Sequence, residues 1–542
     1  MRWWGGTARI SIDIRDKSVP KQWLLEPEDL PSEEQHAVLN VPAKSDKLTT
    51  EEIEMTNSDV ESLLEAYRTR KWTVRQVITA FLKKAVIMNQ MTNFATEFLQ
   101  EDALKRADEL DAQLASTGLL AGPLHGIPTS LAEPIPLAGR IAHAGIVSRI
   151  SRGPPPAEDA HLVRKLRQAG AVVHLRTNVA QALVGLDCEN NIMGCTLNPR
   201  DLRLSAGGSC GGEGVSVGAG CSVLGVGADV GGGVPVPAAF GGCYGFRPTA
   251  SRVPMNGVVG PTGEQKSAGG VAGPLARSVD GLEAWMKAVL AQAPRDADTS
   301  LASHPWRSDV GLGGFTVGVM WDDGIIRPHP PVLRALRTAV DKLKAVGVRV
   351  VDWEPCNHQR GLDILASLSF PDGGQRYLDE FDESGEPALP STRHAFGMAK
   401  KSDKIPLTAH DTSALRQERE KHQREHDALM KDRGVDFILG PAYVGAGALQ
   451  GSVKYPHYSS IWDILDMPSV VLPSGLRCDK DVDVRDETYN PRSDVDKKEW
   501  RAYDPDLFDG FPIALQLAGK RVEDEEVLAA ARVLEKAMKG GN

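Results

Sequence analysis

Between Ser205 and Thr249 the chain reads SAGGSCGGEGVSVGAGCSVLGVGADVGGGVPVPAAFGGCYGFRPT, and no other stretch limits the fold so strongly. Glycine loses more freedom on folding than any other residue. A chain keeps it at this density only where backbones must meet closely or adopt angles closed to side chains. The stretch is also poor in reactive groups, with no Ser or Thr between Ser222 and Thr249. GVGADVGGG does not supply a dinucleotide fingerprint in its proper setting, and no Gly-Lys-Ser/Thr run stands ready for phosphates. Upstream, Gly122–Glu133 reads GPLHGIPTSLAE.

The ordered set HGIP, GGSxGGEG, GxDxGG and YGxRPT closely resembles the amidase signature family. The tail segments HYSSIWDILDMPSVVLP (His457–Pro473) and GFPIALQLAGKRVEDEEVLAAARVLEKAM (Gly510–Met538), with Glu189-Asn190-Asn191, resemble its fungal acetamidase-like branch. The resemblance covers nearly the whole chain. The family core usually reads GGSSGGE, then GTDIGGSIR, with HGIPVSLKD upstream. In that family a neutral Lys after the Ser-Leu pair takes a proton, through a Ser in a cis peptide of GGSS, from the nucleophilic Ser that follows the Gly-Gly pair. Aligned residue by residue, Ser209 keeps the bridging position. The Lys position is Ala132, and the nucleophile position is Gly233.

Ala132 has no titratable atom and Gly233 has no side chain, so neither end of such a triad can act. No Lys lies between Lys105 and Lys165, which removes a shift of register as a rescue. The motif's Thr-Asp-Ile is Ala228-Asp229-Val230, its Arg is Pro235, its second GGSS serine is Cys210, and its Lys-Asp is Ala132-Glu133. Gly207, Gly208, Gly211, Gly212, Gly227, Gly231 and Gly232 remain. The resemblance thus implies a kept backbone without the reactive atoms. It also implies that the amides from Val230 to Gly233 form an oxyanion hole, whose donors typically contribute about 3 kcal/mol each. Two deleted side chains are expected to enlarge the pocket. Asp229 is read as structural.

His143 replaces a hydroxyl residue of a family stretch that runs near the catalytic centre. It stands either as an acid–base group, being titratable near neutrality, or as a hydrogen-bonded structural histidine. Cys210 is either a reactive thiol or, as is commoner, a buried inert one. His125 of HGIP is taken as structural.

The 542 residues are 41% hydrophobic and 25% charged, ordinary for a globular protein. Net charge is −10, so no electrostatic footprint for nucleic acid exists. The seven cysteines show no paired CxxC spacing, which fits a reducing cytoplasm and implies neither metal nor cofactor. Charge interrupts every apolar stretch of MRWWGGTARISIDIRDKSVPKQW, so neither a signal peptide nor a membrane partner is expected. Trp3-Trp4 reads as a packed or frayed terminus.

Residues 1–50 read as an N-terminal arm, and 51–542 as one amidase signature domain with a variable, pocket-covering region about 320–440. Asn57-Ser58-Asp59 and Thr73 are placed to cap helices, and Glu101–Ser116 and Glu158–Ala169 have helical spacing. Gly126–Leu131 and Ala171–Leu175 read as strands. The alternation implies an α/β fold, a large twisted mixed sheet with mostly parallel core strands and helices on both faces. The Gly207–Gly214 run leads into a helix whose first amides are candidates to bind an anion or carbonyl oxygen.

Three functions compete. The first is a repurposed enzyme that binds a carbonyl-containing small molecule and promotes cyclisation, cycloaddition, isomerisation or condensation in specialised metabolism. The second is a pseudoamidase that binds a ligand or partner, and the third is residual amide hydrolysis. The expected site is His143 and Ser209 as catalytic groups, with Val230, Gly231, Gly232, Gly233, Ala132, Cys210 and Asp229 around the ligand. A homodimer is left open.

Overall fold

The computed structural model describes residues 4–259, 270–296, 298–302, 304–308, 310–399 and 405–540. Its strands are β1 (Ala95–Phe98), β2 (Pro128–Ala132), β3 (Val172–Thr177), β4 (Glu189–Asn190), β5 (Gly194–Cys195), β6 (Leu224–Asp229), β7 (Tyr244–Arg247), β8 (Val271–Ala276), β9 (Thr316–Val319), β10 (Arg349–Asp352), β11 (Phe437–Pro441), β12 (Ser469–Arg477) and β13 (Pro512–Gly519). β4 and β5 form a short ribbon. The other eleven make one sheet in the order β1-β3-β2-β6-β8-β7-β12-β13-β11-β9-β10.

The sheet is mixed, as expected. Parallel pairing joins β3, β2 and β6, the block that carries the expected site, and again β11, β9 and β10. Between β6 and β11 every pairing is antiparallel. Parallel order therefore lies in two blocks, the first of them the core around the expected site.

Side chains alternate between faces at the two-residue period of a strand. Phe437, Leu439, Val470 and Leu517 enter one core, with the helices Val74–Thr92, Val279–Ala291, Pro330–Ala345 and Asp524–Lys539. Ile438, Val471 and Ala518 enter a second, with Pro235–Gly241, His358–Ser369 and His457–Leu465. Both faces are covered, so β11 and β13 are largely apolar along their length.

The helix caps follow the sequence. Thr73 makes a capping box with Gln76 at the start of Val74–Thr92, and Asp59 accepts from Ser62 N–H. The helix anticipated at Glu101–Ser116 runs Gln100–Thr117, and that at Glu158–Ala169 is shorter, His161–Gln168.

The arm is not loose. The helix Gly5–Ser18 lies along β1, where Ser18 Oγ accepts the Phe98 N–H at 3.0 Å and Arg15 Nη1 donates to Asn93 Oδ1 at 3.0 Å. Trp3 lies outside the described residues. No described helix is long and apolar enough to cross a membrane.

Candidate functional site

The glycine-rich stretch folds as a loop, the helix Gly211–Gly218, β6, a tight turn and the helix Pro235–Gly241. Its glycines answer to close approach. A Cβ at Gly208 would sit 2.6 Å from the Gly185 carbonyl oxygen, and one at Gly212 would sit 2.5 Å from Asn178 N. Any side chain there would push these segments apart. The peptide Gly208–Ser209 is cis, as the resemblance implies for the bridging serine.

Ser209 opens onto a cavity of about 680 Å³, and the described residues nearest it on the wall include Val230, Gly231 and Gly233. Among the described residues its Oγ meets only Cys210 Sγ as a polar partner, at 3.9 Å, a contact long enough for the hydroxyl to turn to a ligand. The rest of the wall is largely apolar. The stretch expected to cover the pocket contributes Leu362, Leu365 and Phe370.

Three of the four presumed oxyanion donors are already committed. Asp229 Oδ1 accepts the N–H groups of Gly231 (3.1 Å), Gly232 (2.7 Å) and Gly233 (2.7 Å). The carboxylate fills its own turn, and its second oxygen is buried without a partner among the described residues. Burial raises its pKa, against the three amides and Arg247. Arg247 is shared with Asp463 (3.3 Å) and Asp466 (3.1 Å). The position that holds an Arg in the family is Pro235, which starts a helix and offers no cation to draw Asp229 away. Asp229 is thus structural, as read from the sequence. Gly231, Gly232 and Gly233 cannot hold a ligand carbonyl through these amides, which corrects that expectation.

The expected enlargement at Gly233 is also absent. A Cβ built there would run into the Ala228 carbonyl oxygen and lie 2.8 Å from Ser209 Oγ. The backbone has closed over the place where a nucleophile's side chain would stand. Two amides at the start of the helix Gly211–Gly218 are engaged as well. Gly212 N–H donates to Asn178 O at 3.1 Å, and Cys210 N–H to Gly233 O at 3.3 Å.

Three more expected residues lie off the cavity wall. Ala132 is fully buried at the end of β2, opposite Thr177. Cys210 Sγ accepts Ala228 N–H at 3.3 Å and donates to Ala228 O at 3.4 Å, and burial pushes the thiol up to about 12, so it is inert. His143 is buried in a loop tied to Glu133, whose carboxylate accepts the His143 and Ala144 N–H groups at 2.8 and 2.9 Å. The ring Nδ1 accepts Gly145 N–H at 3.0 Å, and burial lowers the ring pKa. The histidine is neutral scaffolding, not an acid–base group at the ligand. His125 is likewise structural, its Nδ1 accepting Ala121 N–H at 2.9 Å, with burial lowering it to about 4.

Sequence reasoning missed Glu499, which stands on the wall and which burial raises to about 7. Its local text, DKKEWRAYDPD, reads as a solvated charged helix, so no local signal distinguishes it. Lys454, Lys498, His394 and His457 also reach the cavity from segments far apart in the chain.

Residues 76–528 match the family described as amidase. A Schizosaccharomyces pombe protein that bears an amidase name is 37% identical over 521 residues, 95% of this chain and 96% of that one. An acetamidase of Emericella nidulans is 33% identical over 536 residues, 96% of each. A solved structure of a fatty acid amide hydrolase superposes with a TM-score of 0.93 at 34% identity, covering 98% of this chain and 95% of that one.

Proposed function

This chain belongs to the amidase family, and on that premise we propose that its cavity binds a carbonyl-containing small molecule and acts on it without hydrolysis. The cavity is read as a repurposed active site, working in specialised metabolism. The observation that carries this is the pair Ala132 and Gly233 at the positions where the family has its base and its nucleophile. Loss of either end of a hydroxyl–base unit costs on the order of a millionfold in turnover. The closed space at Gly233 adds to it, since a side chain there would run into the Ala228 carbonyl oxygen. Ser209 supplies the hydrogen bond to the carbonyl oxygen, and the apolar wall takes the rest of the ligand. Such a site speeds a reaction by orienting and polarising, which contributes several kcal/mol without any nucleophile.

The relatives' names favour ordinary amide hydrolysis, and one assay separates the two. Acetamide, anilides and p-nitrophenyl esters are expected to turn over at background rate, and a fluorophosphonate probe is expected to label no serine. Robust turnover that survives Ser209→Ala would overturn the reading.

A further inference from the structure

Among the described residues several buried acids and thiols lie near the cavity, and most of them are engaged. Cys210 is bonded on both sides and does not reach the wall. Glu213 is saturated by Ser130 Oγ–H at 2.7 Å, Thr177 Oγ1–H at 2.6 Å and Val226 N–H at 3.1 Å. Asp187, which burial raises to about 6, accepts Val453 N–H at 3.2 Å and lies behind the wall.

Glu499 differs from all of these. It lies on the helix Asp494–Ala502, lines the cavity and is only 8% exposed. Among the described residues none donates a hydrogen bond to its carboxylate. Only its backbone carbonyl is engaged, by His329 Nε2 at 2.9 Å. A carboxyl group buried without donors is costly unless it is protonated or a ligand completes it. The charged groups around it are Lys498 on its own helix and Lys454 from the segment after β11. The hydroxyls of Tyr443 and Tyr455 feel its charge, and Tyr455 is itself tied to Asp323 Oδ2 at 2.5 Å. Burial outweighs both lysines and sets the carboxyl to exchange protons near neutral pH, where a general acid–base group works best.

We propose that Glu499 is the acid–base catalyst of this cavity and that the reaction is an isomerisation through an enolate, a step that rests on the carbonyl-binding reading of the same cavity. The Glu499 carboxylate takes the proton from the carbon beside the ligand carbonyl. The C–H electron pair becomes the C=C bond, and the C=O π pair moves to oxygen, where Ser209 Oγ–H donates to it. Replacement of the carboxyl proton by one from solvent, followed by its delivery to the same carbon as the C=O re-forms, exchanges the carbon-bound hydrogen. Return at a conjugated carbon shifts a double bond. No oxidant, reductant or water is consumed.

The probe is 2-dodecanone in D2O buffer, with binding followed by saturation-transfer NMR and exchange at the carbons beside the carbonyl by mass spectrometry. The wild-type protein is expected to bind the ketone and to speed exchange ~100-fold or more over buffer. Glu499→Gln should bind as well and lose that acceleration. Glu499→Asp, which keeps the acid one carbon further back, should retain a reduced rate, and this guards against a Gln variant that folds poorly. The wild-type rate should rise with pH through about 7, a dependence that Glu499→Gln loses. Binding without exchange, or exchange untouched by Glu499→Gln, would overturn the inference while leaving the carbonyl reading intact. A ketone that does not bind would overturn the carbonyl reading, and this step with it.

Discussion

A serine returned to Gly233 has no room for its Cβ, because the Ala228 carbonyl oxygen and Ser209 Oγ already stand there. Gly233→Ser is expected to lower stability by about 1–3 kcal/mol, the usual cost of overpacking, readable as a fall in the urea midpoint. Gly233→Leu should cost more and perturb folding as well as the cavity, so it is a poor tool for blocking the ligand. The pair Ala132→Lys with Gly233→Ser should remain unlabelled by a fluorophosphonate probe; labelling would mean that the turn reopens when the residues return. At this scale the sequence was legible where motif and backbone coincide. Ser209, its cis peptide and structural Asp229 follow from the text around them. His143 and Glu499 do not: His143 is turned by its bond to Glu133, and the cavity beside Glu499 is walled by segments hundreds of residues away. The loss of three oxyanion donors was not legible either, although it is local. Pro235 is visible in the sequence, but the turn of Asp229 onto three amides is not.

At the scale of elements, one buried carboxylate ties the parallel block together. Glu213, on the helix Gly211–Gly218, accepts from Ser130 of β2, Thr177 of β3 and Val226 of β6. Burial nevertheless raises it from 4.5 to about 7. A carboxyl raised in the folded state binds protons more tightly there than in the unfolded chain. Its contribution is full below pH 4.5 and is lost as pH rises through about 7, on the order of 3 kcal/mol. Glu499 has the same sign and adds to the same slope. Urea unfolding at a series of pH values should show stability falling across this window. Glu213→Gln and Glu499→Gln should each flatten part of the fall, and a slope unchanged from wild type in both variants would refute the assignment. Helices were readable because capping and apolar spacing are local, as at Thr73 and Gln100–Thr117. The run of antiparallel pairings between β6 and β11 was not, because pairing partners are chosen by contacts across the chain.

Over the whole molecule, the sheet's two outer strands are β1 and β10, and the first 25 residues close the first of them. Beyond the bond from Phe98 to Ser18, Leu25 N–H donates to Gln90 Oε1 at 2.8 Å and Gln90 returns a bond to Leu25 O at 3.1 Å. Ala8 packs with Val147, Ile150, Ile192 and Met193 in a small apolar cluster of its own. An uncovered edge strand is a template for pairing with another copy of the chain. The cavity lies elsewhere, walled by residues between Leu183 and Glu499. Deleting residues 1–24 should therefore lower Tm by a few degrees and raise light scattering on mild heating. It should leave 2-dodecanone binding unchanged, as followed by saturation-transfer NMR below the transition. A truncated protein that stays monomeric at the full-length Tm would mean that the helix only rests on β1. One that loses the ketone while still folded would mean that the edge and the cavity are mechanically joined across the sheet.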